Sequence, residues 1–317
     1  MTTTLRIGTR KSPLAMWQAE HIQARLQAAH VDLIVELVGI ETKGDKILDV
    51  ALAKVGGKGL FVKELETALL AGEVDLCVHS TKDVPAELPD GTAIVAFPPR
   101  ADPRDCFASP DFTGGRGGVS SLPRGARVGT SSLRRQAQLL MRRPDLVIVP
   151  VRGNVATRLR KVAEQNLSCV VLACAGLDRL AHGDVITHRF DIDEMLPAAG
   201  QGVLAIQARS DDERVLKMLS FLDDRTTRIT TLAERAFLRG LGGGCQVPIA
   251  AHAVIVTEND GDKVLLRALV ARPDGRVVIG ATAEGPVTDA DAIGSALADD
   301  VRSRGGDRLL QELEPLA

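Results

Sequence analysis

The sequence predicts an α/β architecture in two domains joined by a hinge, followed by a small α+β domain with an antiparallel three-stranded sheet. Three observations predict it. Apolar β-like runs alternate with helical patterns as far as residue 208. Breaks rich in proline and glycine interrupt that rhythm at 98–103 and 196–202, and the first reads as a hinge. Beyond residue 248 the pattern changes to three β runs separated by Asn259-Asp260-Gly261 and Pro273-Asp274-Gly275, both strong turn signals.

The first domain opens with a strand over 5–9 and a helix from Pro13 to about 28. Ser12 offers the capping hydroxyl, and Pro13 has its φ already set for the first helical position. A strand over 31–41, a helix over 59–71 and strands over 75–80 and 92–97 follow, which implies a largely parallel sheet covered by helices. After the hinge come a strand over 127–129, a helix through Arg142, a strand over 146–151, a helix over 154–164 and a strand over 168–173. The Gly-rich stretch 113–119 reads as a surface loop. A strand over 203–208 follows the second break, and the sequence does not name its sheet.

A helix over 225–240 sets Ile229, Leu232, Ala233, Ala236 and Phe237 at helical spacing and runs into three glycines. Strands over 248–257, 263–271 and 276–283 and a closing helix from about 289 to 304 end the chain.

The 317 residues carry 39 basic and 41 acidic side chains, so no global field draws nucleic acid or an anionic membrane. One Trp and no Tyr argue against a stacking surface for bases. The five cysteines are odd in number and mostly sit in apolar runs, which suggests reduced thiols. Cys169 and Cys174 lie along one predicted strand, at a spacing that makes no zinc site. Residues 1–9 lack a signal peptide's apolar stretch, and no run reaches membrane-spanning length. The expectation is a soluble cytoplasmic protein.

Cys245 ends the run Leu241-Gly242-Gly243-Gly244-Cys245, where three glycines leave the thiol sterically open between a helix and a strand. It is either a small buried hydrophobe or a thiol with a chemical role. Basic residues recur where strands give way to helices or loops: Arg10 and Lys11, Lys82, Arg134 and Arg135, and Arg152, with Arg158 and Arg179 further along. In open α/β sheets the ligand crevice lies at those strand ends, and helix N-termini add N–H donors there. Thr130-Ser131-Ser132 adds hydroxyls and amides at one such end. Any single arginine is explained by solvated surface charge. Gathered together they repel unless an anion arrives, so a polyanionic, carboxylate-bearing ligand is expected.

Asp83, beside Lys82, can stabilise a developing positive charge or shuttle protons, with a turn cap or an ion pair as the alternative. His79 reads as a packing histidine at a strand end, and 54–59 as a flap beside the crevice. Gly56-Gly57-Lys58-Gly59 is no P-loop, because no Ser or Thr follows the lysine. A Gly-x-Ser-x-Gly elbow, a His-Glu-x-x-His helix and a clustered His/Cys set are all missing.

Several segments stand out together: Arg6-Ile7-Gly8-Thr9-Arg10-Lys11-Ser12-Pro13-Leu14-Ala15, Val55-Gly56-Gly57-Lys58-Gly59-Leu60-Phe61 and Val78-His79-Ser80-Thr81-Lys82-Asp83-Val84-Pro85. Val128-Gly129-Thr130-Ser131-Ser132-Leu133-Arg134-Arg135-Gln136, Arg152-Gly153-Asn154-Val155 and the segment from Glu234-Arg235 through Gly243-Gly244-Cys245-Gln246-Val247-Pro248-Ile249 complete the set. In this order they resemble the hydroxymethylbilane synthase, or porphobilinogen deaminase, family across nearly the whole chain.

The resemblance implies a transferase of tetrapyrrole (heme) biosynthesis in which Cys245 holds a dipyrromethane cofactor through a thioether. On that primer four porphobilinogen molecules would be deaminated and joined head to tail, and hydrolysis would release linear hydroxymethylbilane. By the same resemblance Asp83 is the catalytic carboxylate, and Arg10, Ser12, Lys82, Thr130, Ser131, Arg134, Arg135, Arg152, Arg158 and Arg179 hold cofactor or substrate carboxylates. Lys54, Lys58 and Phe61 fall in the active-site flap, and no metal is implied.

The implied fold has two α/β domains resembling periplasmic solute-binding proteins, 1–98 with 200–221 and 103–196, and a third domain, 224–317, that presents the cysteine. A monomer with a small-molecule substrate is expected. Thr81 and the glycines over 114–118 depart from the family pattern. A hinged carboxylate-binding module without catalysis and a thiol enzyme acting at Cys245 are the competing readings.

Overall fold

The computed structural model describes residues 3–46, 59–110, 117–243, 247–258 and 261–312. These form two compact units, one of 3–46, 59–101 and 203–228, the other of 102–110, 117–202 and 229 onward. Among the described residues no helix is long and apolar enough to cross a membrane.

In the first unit β1 (Thr3–Arg10) leads into α1 (Pro13–Ala29), β2 (Leu33–Ile40), the short α2 (Lys43–Lys46), α3 (Lys63–Leu70), β3 (Leu76–Ser80) and β4 (Thr92–Ala96). Ser12 caps α1 by accepting the Ala15 N–H, with Pro13 at the first position, as the sequence predicts. β1 pairs in parallel with β2 and β3. One face packs Leu5, Ile7, Leu76 and Val78 against Ala19, Ile22 and Leu26 of α1, while the other sets Cys77 against Leu65 and Leu69 of α3. The helix expected from residue 59 begins only at Lys63, because Gly59 turns with φ +84° and residues 59–62 form the lead-in.

The strand at residue 203 belongs to this sheet. In the order β2-β1-β3-β10-β4, β10 (Leu204–Arg209) runs against both neighbours. The expected parallel sheet therefore contains one opposed strand. Leu204 sits opposite Ser80, so β10 enters at the end where β3 leaves and needs no crossover back along the sheet. α7 (Glu213–Leu219), capped by Asp212, closes that edge.

The second unit repeats the plan with β5 (Asp105–Ala108), β6 (Arg127–Gly129), α4 (Leu133–Arg142), β7 (Val147–Val149), α5 (Val155–Glu164), β8 (Cys169–Ala173), α6 (Cys174–Arg179) and β9 (Ile186–Arg189). The order is β7-β6-β8-β5-β9, with β5 opposed to β8 and β9. β5, β9 and α6 are absent from the sequence reading. Cys174 therefore opens a helix rather than extending the strand of Cys169. The expected loop over 113–119 falls partly outside the described residues, and its end is no surface loop. Val119 is buried with Leu122 and Phe107 in the core of this sheet.

The same unit carries α8 (Arg225–Gly240) from its fifth residue onward, then β11 (Ile249–Glu258), β12 (Gly261–Ala271), β13 (Val278–Pro286), α9 (Ala290–Ser303) and α10 (Gly306–Gln311). β11, β12 and β13 form an antiparallel meander. Its inner face, with Val264, Leu266 and Val270, is covered by Ala233 and Phe237 of α8 and by Leu297 and Val301 of α9. A Cβ on Gly294 would stand 2.2 Å from the Ala233 carbonyl oxygen, so only glycine lets α9 lie this close to α8.

Candidate active site

At the carboxyl end of the first sheet, Arg10, Ser12, Gln18, Phe61, His79, Ser80 and Asp83 line one pocket of about 60 Å³. Each is placed by an element end. β1 finishes at Arg10, the cap of α1 is Ser12, β3 finishes at Ser80, and a 3₁₀ turn over Thr81–Asp83 carries the chain away. Val84 N–H closes that turn on the Thr81 carbonyl at 3.1 Å, and Thr81 N–H bonds the Val203 carbonyl at 3.0 Å.

Arg10 is held from two sides. Its Nε donates to Asp45 Oδ2 at 3.2 Å and its Nη2 pairs with Asp45 Oδ1, while the guanidinium carbon stands 4.3 Å over the Phe61 ring. Burial alone would raise the Asp45 pKa, but hydrogen bonds from Arg10 and Thr42 outweigh it and hold the carboxyl below its ordinary value. Gln18 Nε2 bonds Ser80 Oγ at 2.9 Å. Asp83 is half-buried, and its carboxylate makes no hydrogen bond or ion pair among the described residues. Lys82, its neighbour on the turn, is also half-buried.

The second unit builds its site on the matching strand end. After β6, Thr130 N–H bonds the Val149 carbonyl at 2.9 Å, Thr130 Oγ1 accepts the Ser132 N–H at 3.1 Å, and Ser131 Oγ donates to the Val151 carbonyl at 3.0 Å. Ser132 caps α4, whose first turn carries Arg134 and Arg135 inward. Both are buried against Asp105 of β5. Arg134 Nη1 lies 2.7 Å from Asp105 Oδ2, and Arg135 donates to Asp105 Oδ1 from Nη2 at 2.7 Å and from Nε at 3.1 Å. Gln201 adds an amide N–H to the same oxygen at 2.9 Å. The remaining bonds run to carbonyls, Arg134 to Leu196 at 2.7 Å and Arg135 to Val171 at 2.9 Å.

Asp105 is fully buried, which by itself would raise its pKa, yet the two guanidiniums hold it far below the ordinary carboxylate range. Two cations face one carboxylate, so a net positive charge is buried here. Arg158 Nε donates to the Gly153 carbonyl at 2.8 Å, and Lys161 Nζ to the carbonyl of Arg152 at 3.2 Å, which gathers Arg152 and Arg158 at the start of α5. Burial lowers the pKa of Arg152 and pushes that of Arg179 down to about 10. Arg179 Nη2 donates to the Gly202 carbonyl at 2.9 Å.

Of the residues singled out from the sequence, Arg10, Ser12, Phe61 and Asp83 thus share one pocket in the first unit. Thr130, Ser131, Arg134 and Arg135 share one strand-to-helix turn in the second. Cys245, Lys54 and Lys58 lie outside the described residues. Gln18, Ser80, Asp45, Asp105 and Gln201 were not singled out. Ser80 stands inside a quoted motif, but the others take their place from contacts distant in sequence.

Residues 5–217 match the family model described as porphobilinogen deaminase, dipyromethane cofactor binding domain, and 228–303 match that for the porphobilinogen deaminase C-terminal domain. The chain belongs to the porphobilinogen deaminase family. The porphobilinogen deaminase of Syntrophotalea carbinolica is 53% identical over 313 residues, covering 99% of this chain and 97% of that protein. That of Trichlorobacter lovleyi is 50% identical over 309 residues, covering 98% and 96%. Among solved structures, the periplasmic VFT2 domain of Bordetella pertussis BvgS aligns at a TM-score of 0.41 and 14% identity over 68% of this chain and 85% of that one. The family is one of enzymes, and nothing in these relatives supports a binding module without catalysis.

Proposed function

We propose that the chain is a hydroxymethylbilane synthase, joining four porphobilinogen molecules head to tail on a covalent dipyrromethane primer with loss of ammonia. The observation that carries this reading is Asp83, a carboxylate with no described protein partner in a pocket that also holds Arg10 and Ser12. A carboxylate so placed is available to a ligand's positive charge, while the Arg10 guanidinium is available to a ligand's carboxylate. Asp83 then steadies the cationic carbon left when the substrate's ammonia departs, and Lys82 and Ser12 hold substrate carboxylates.

The chemistry of the second unit fits the cofactor. Its buried net positive charge at Arg134, Arg135 and Asp105 calls for an anion, which acetate and propionate groups supply. Thr130, Ser131, Arg152, Arg158 and Arg179 stand as further holders of those carboxylates, Cys245 as the attachment point, and Lys54, Lys58 and Phe61 as the flap. When bound, the cofactor supplies the pyrrole end to which the first substrate is joined.

The same reading takes 1–98 with 200–221, 103–196 and 224–317 as three domains. It also takes the protein as a cytoplasmic monomer without a nucleic-acid partner, in keeping with 39 basic against 41 acidic residues and a single Trp.

Intact mass of the denatured protein beside Cys245→Ser tests the proposal. An excess equal to a dipyrromethane, present in the first and absent in the second, is expected. A bare chain mass that porphobilinogen leaves unchanged removes the assignment.

A further inference from the structure

His79 is the last residue but one of β3 and is 5% exposed, as a packing histidine would be, yet it is among the residues that line the pocket of Asp83. Its Nε2 lies 2.9 Å from Gln207 Oε1, on the opposed strand β10. Gln207 is fully buried, and its Nε2 reaches Thr92 Oγ1 at 3.0 Å and Glu66 Oε1 at 3.2 Å.

The chain of bonds orders the protons. Thr92 Oγ1 spends its hydrogen on the Pro89 carbonyl at 2.9 Å, so toward Gln207 it can only accept. The Gln207 atom facing Thr92 must therefore be the amide nitrogen, and the atom facing His79 the amide oxygen. A carbonyl oxygen accepts only, which places a hydrogen on His79 Nε2 and leaves Nδ1 with a bare lone pair. Nδ1 makes no hydrogen bond among the described residues, and His79 is a lining residue of the pocket. Burial, with Arg10 nearby, pushes the His79 pKa down to about 4, in keeping with a neutral ring.

We propose that His79 Nδ1 is a fixed hydrogen-bond acceptor for the substrate's aminomethyl nitrogen, beside Asp83, with Gln207 as the residue that sets its tautomer. This rests on the synthase reading above. The pocket that holds Asp83 also holds His79. Its acceptors are divided between one charged group, Asp83, and one neutral group, His79. The neutral acceptor orients an N–H without adding a second negative charge beside Arg10.

The test uses cofactor-loaded enzyme, with loading checked by intact mass. Its probes are porphobilinogen and an analogue in which methyl replaces the aminomethyl group. His79→Leu is expected to raise KM for porphobilinogen about tenfold while leaving the inhibition constant of the methyl analogue unchanged, the loss of one hydrogen bond to a charged group. Gln207→Leu, which frees the ring to take either tautomer, is expected to shift the same ratio less. Nitrogen-15 NMR of the unsubstituted holoenzyme reads the tautomer without any variant, and a hydrogen on Nε2 is expected.

Equal weakening of both ligands, unchanged discrimination, or a hydrogen on Nδ1 each overturns the proposal. A wild type that carries no dipyrromethane and consumes no porphobilinogen overturns the synthase reading as well. One that does both, while His79→Leu still discriminates, overturns this inference alone.

Discussion

The two α/β sheets share one strand order, with a single opposed strand in fourth place, but that strand brings a different side chain to each. In the second unit β5 supplies Asp105, a buried carboxylate gripped by two guanidiniums. In the first, β10 supplies Gln207, a buried neutral amide that links His79 to Thr92 and Glu66. The difference separates two ways of preparing a sheet end for ligand. A buried ion cluster is stable only while every member is present, because each charge has given up its water. An amide network orders protons at smaller electrostatic cost, and it leaves the pocket's own charge, Asp83, unengaged by the protein.

The strongest way to break this comparison is Asp105→Ala, which strands Arg134 and Arg135 without their carboxylate. A loss of about 3–5 kcal/mol is expected from urea denaturation, and a change below about 1 kcal/mol would show that the cluster does not hold the second unit together.

Acid gives the second test. The folded Asp105 pKa lies far below its ordinary value, so below pH about 4 the unfolded chain binds a proton that the native state refuses. Its stabilisation is fully present above the unfolded pKa and is lost as pH falls toward the folded one. Urea midpoints measured from pH 7 down to 3 should decline, and less steeply for Asp105→Asn.

Asp45→Ala addresses the first unit, where the Arg10 pair is 24% exposed on both sides. A loss under about 1 kcal/mol is expected. Asp83→Ala should move stability least, within about 0.5 kcal/mol, while porphobilinogen consumption by the cofactor-loaded enzyme falls about a hundredfold or more. Normal turnover would remove Asp83 from the chemistry.

Much of the fold was legible because its signals are local. Ser12-Pro13 starts α1 as read, the strand over Arg127–Gly129 and the end of α4 at Arg142 fall at the expected residues, and α8 spans Arg225–Gly240 as expected. β5 and β9 were not legible. β5 begins with a charge that only its two distant arginines make tolerable, and three of the four residues of β9 are polar. In the site, sequence reasoning named Arg134 and Arg135 as ligand holders, but the carboxylate that already engages both could not be read from it. His79 was read as a packing residue at a strand end, and its hydrogen-bond partner lies 128 residues away.

The sequence alone determined that Ser12-Pro13 starts α1, that β6 spans Arg127–Gly129 and that α8 spans Arg225–Gly240, since such choices rest on dihedral preferences and side-chain periods within a few residues. Only the tertiary structure decided which charges are spent and which are left for a ligand. Arg135 meets Asp105 from 30 positions away, and Gln207 meets Glu66 from 141. A buried polar group must find its partner wherever the fold brings one, and that distance in space has no counterpart in sequence.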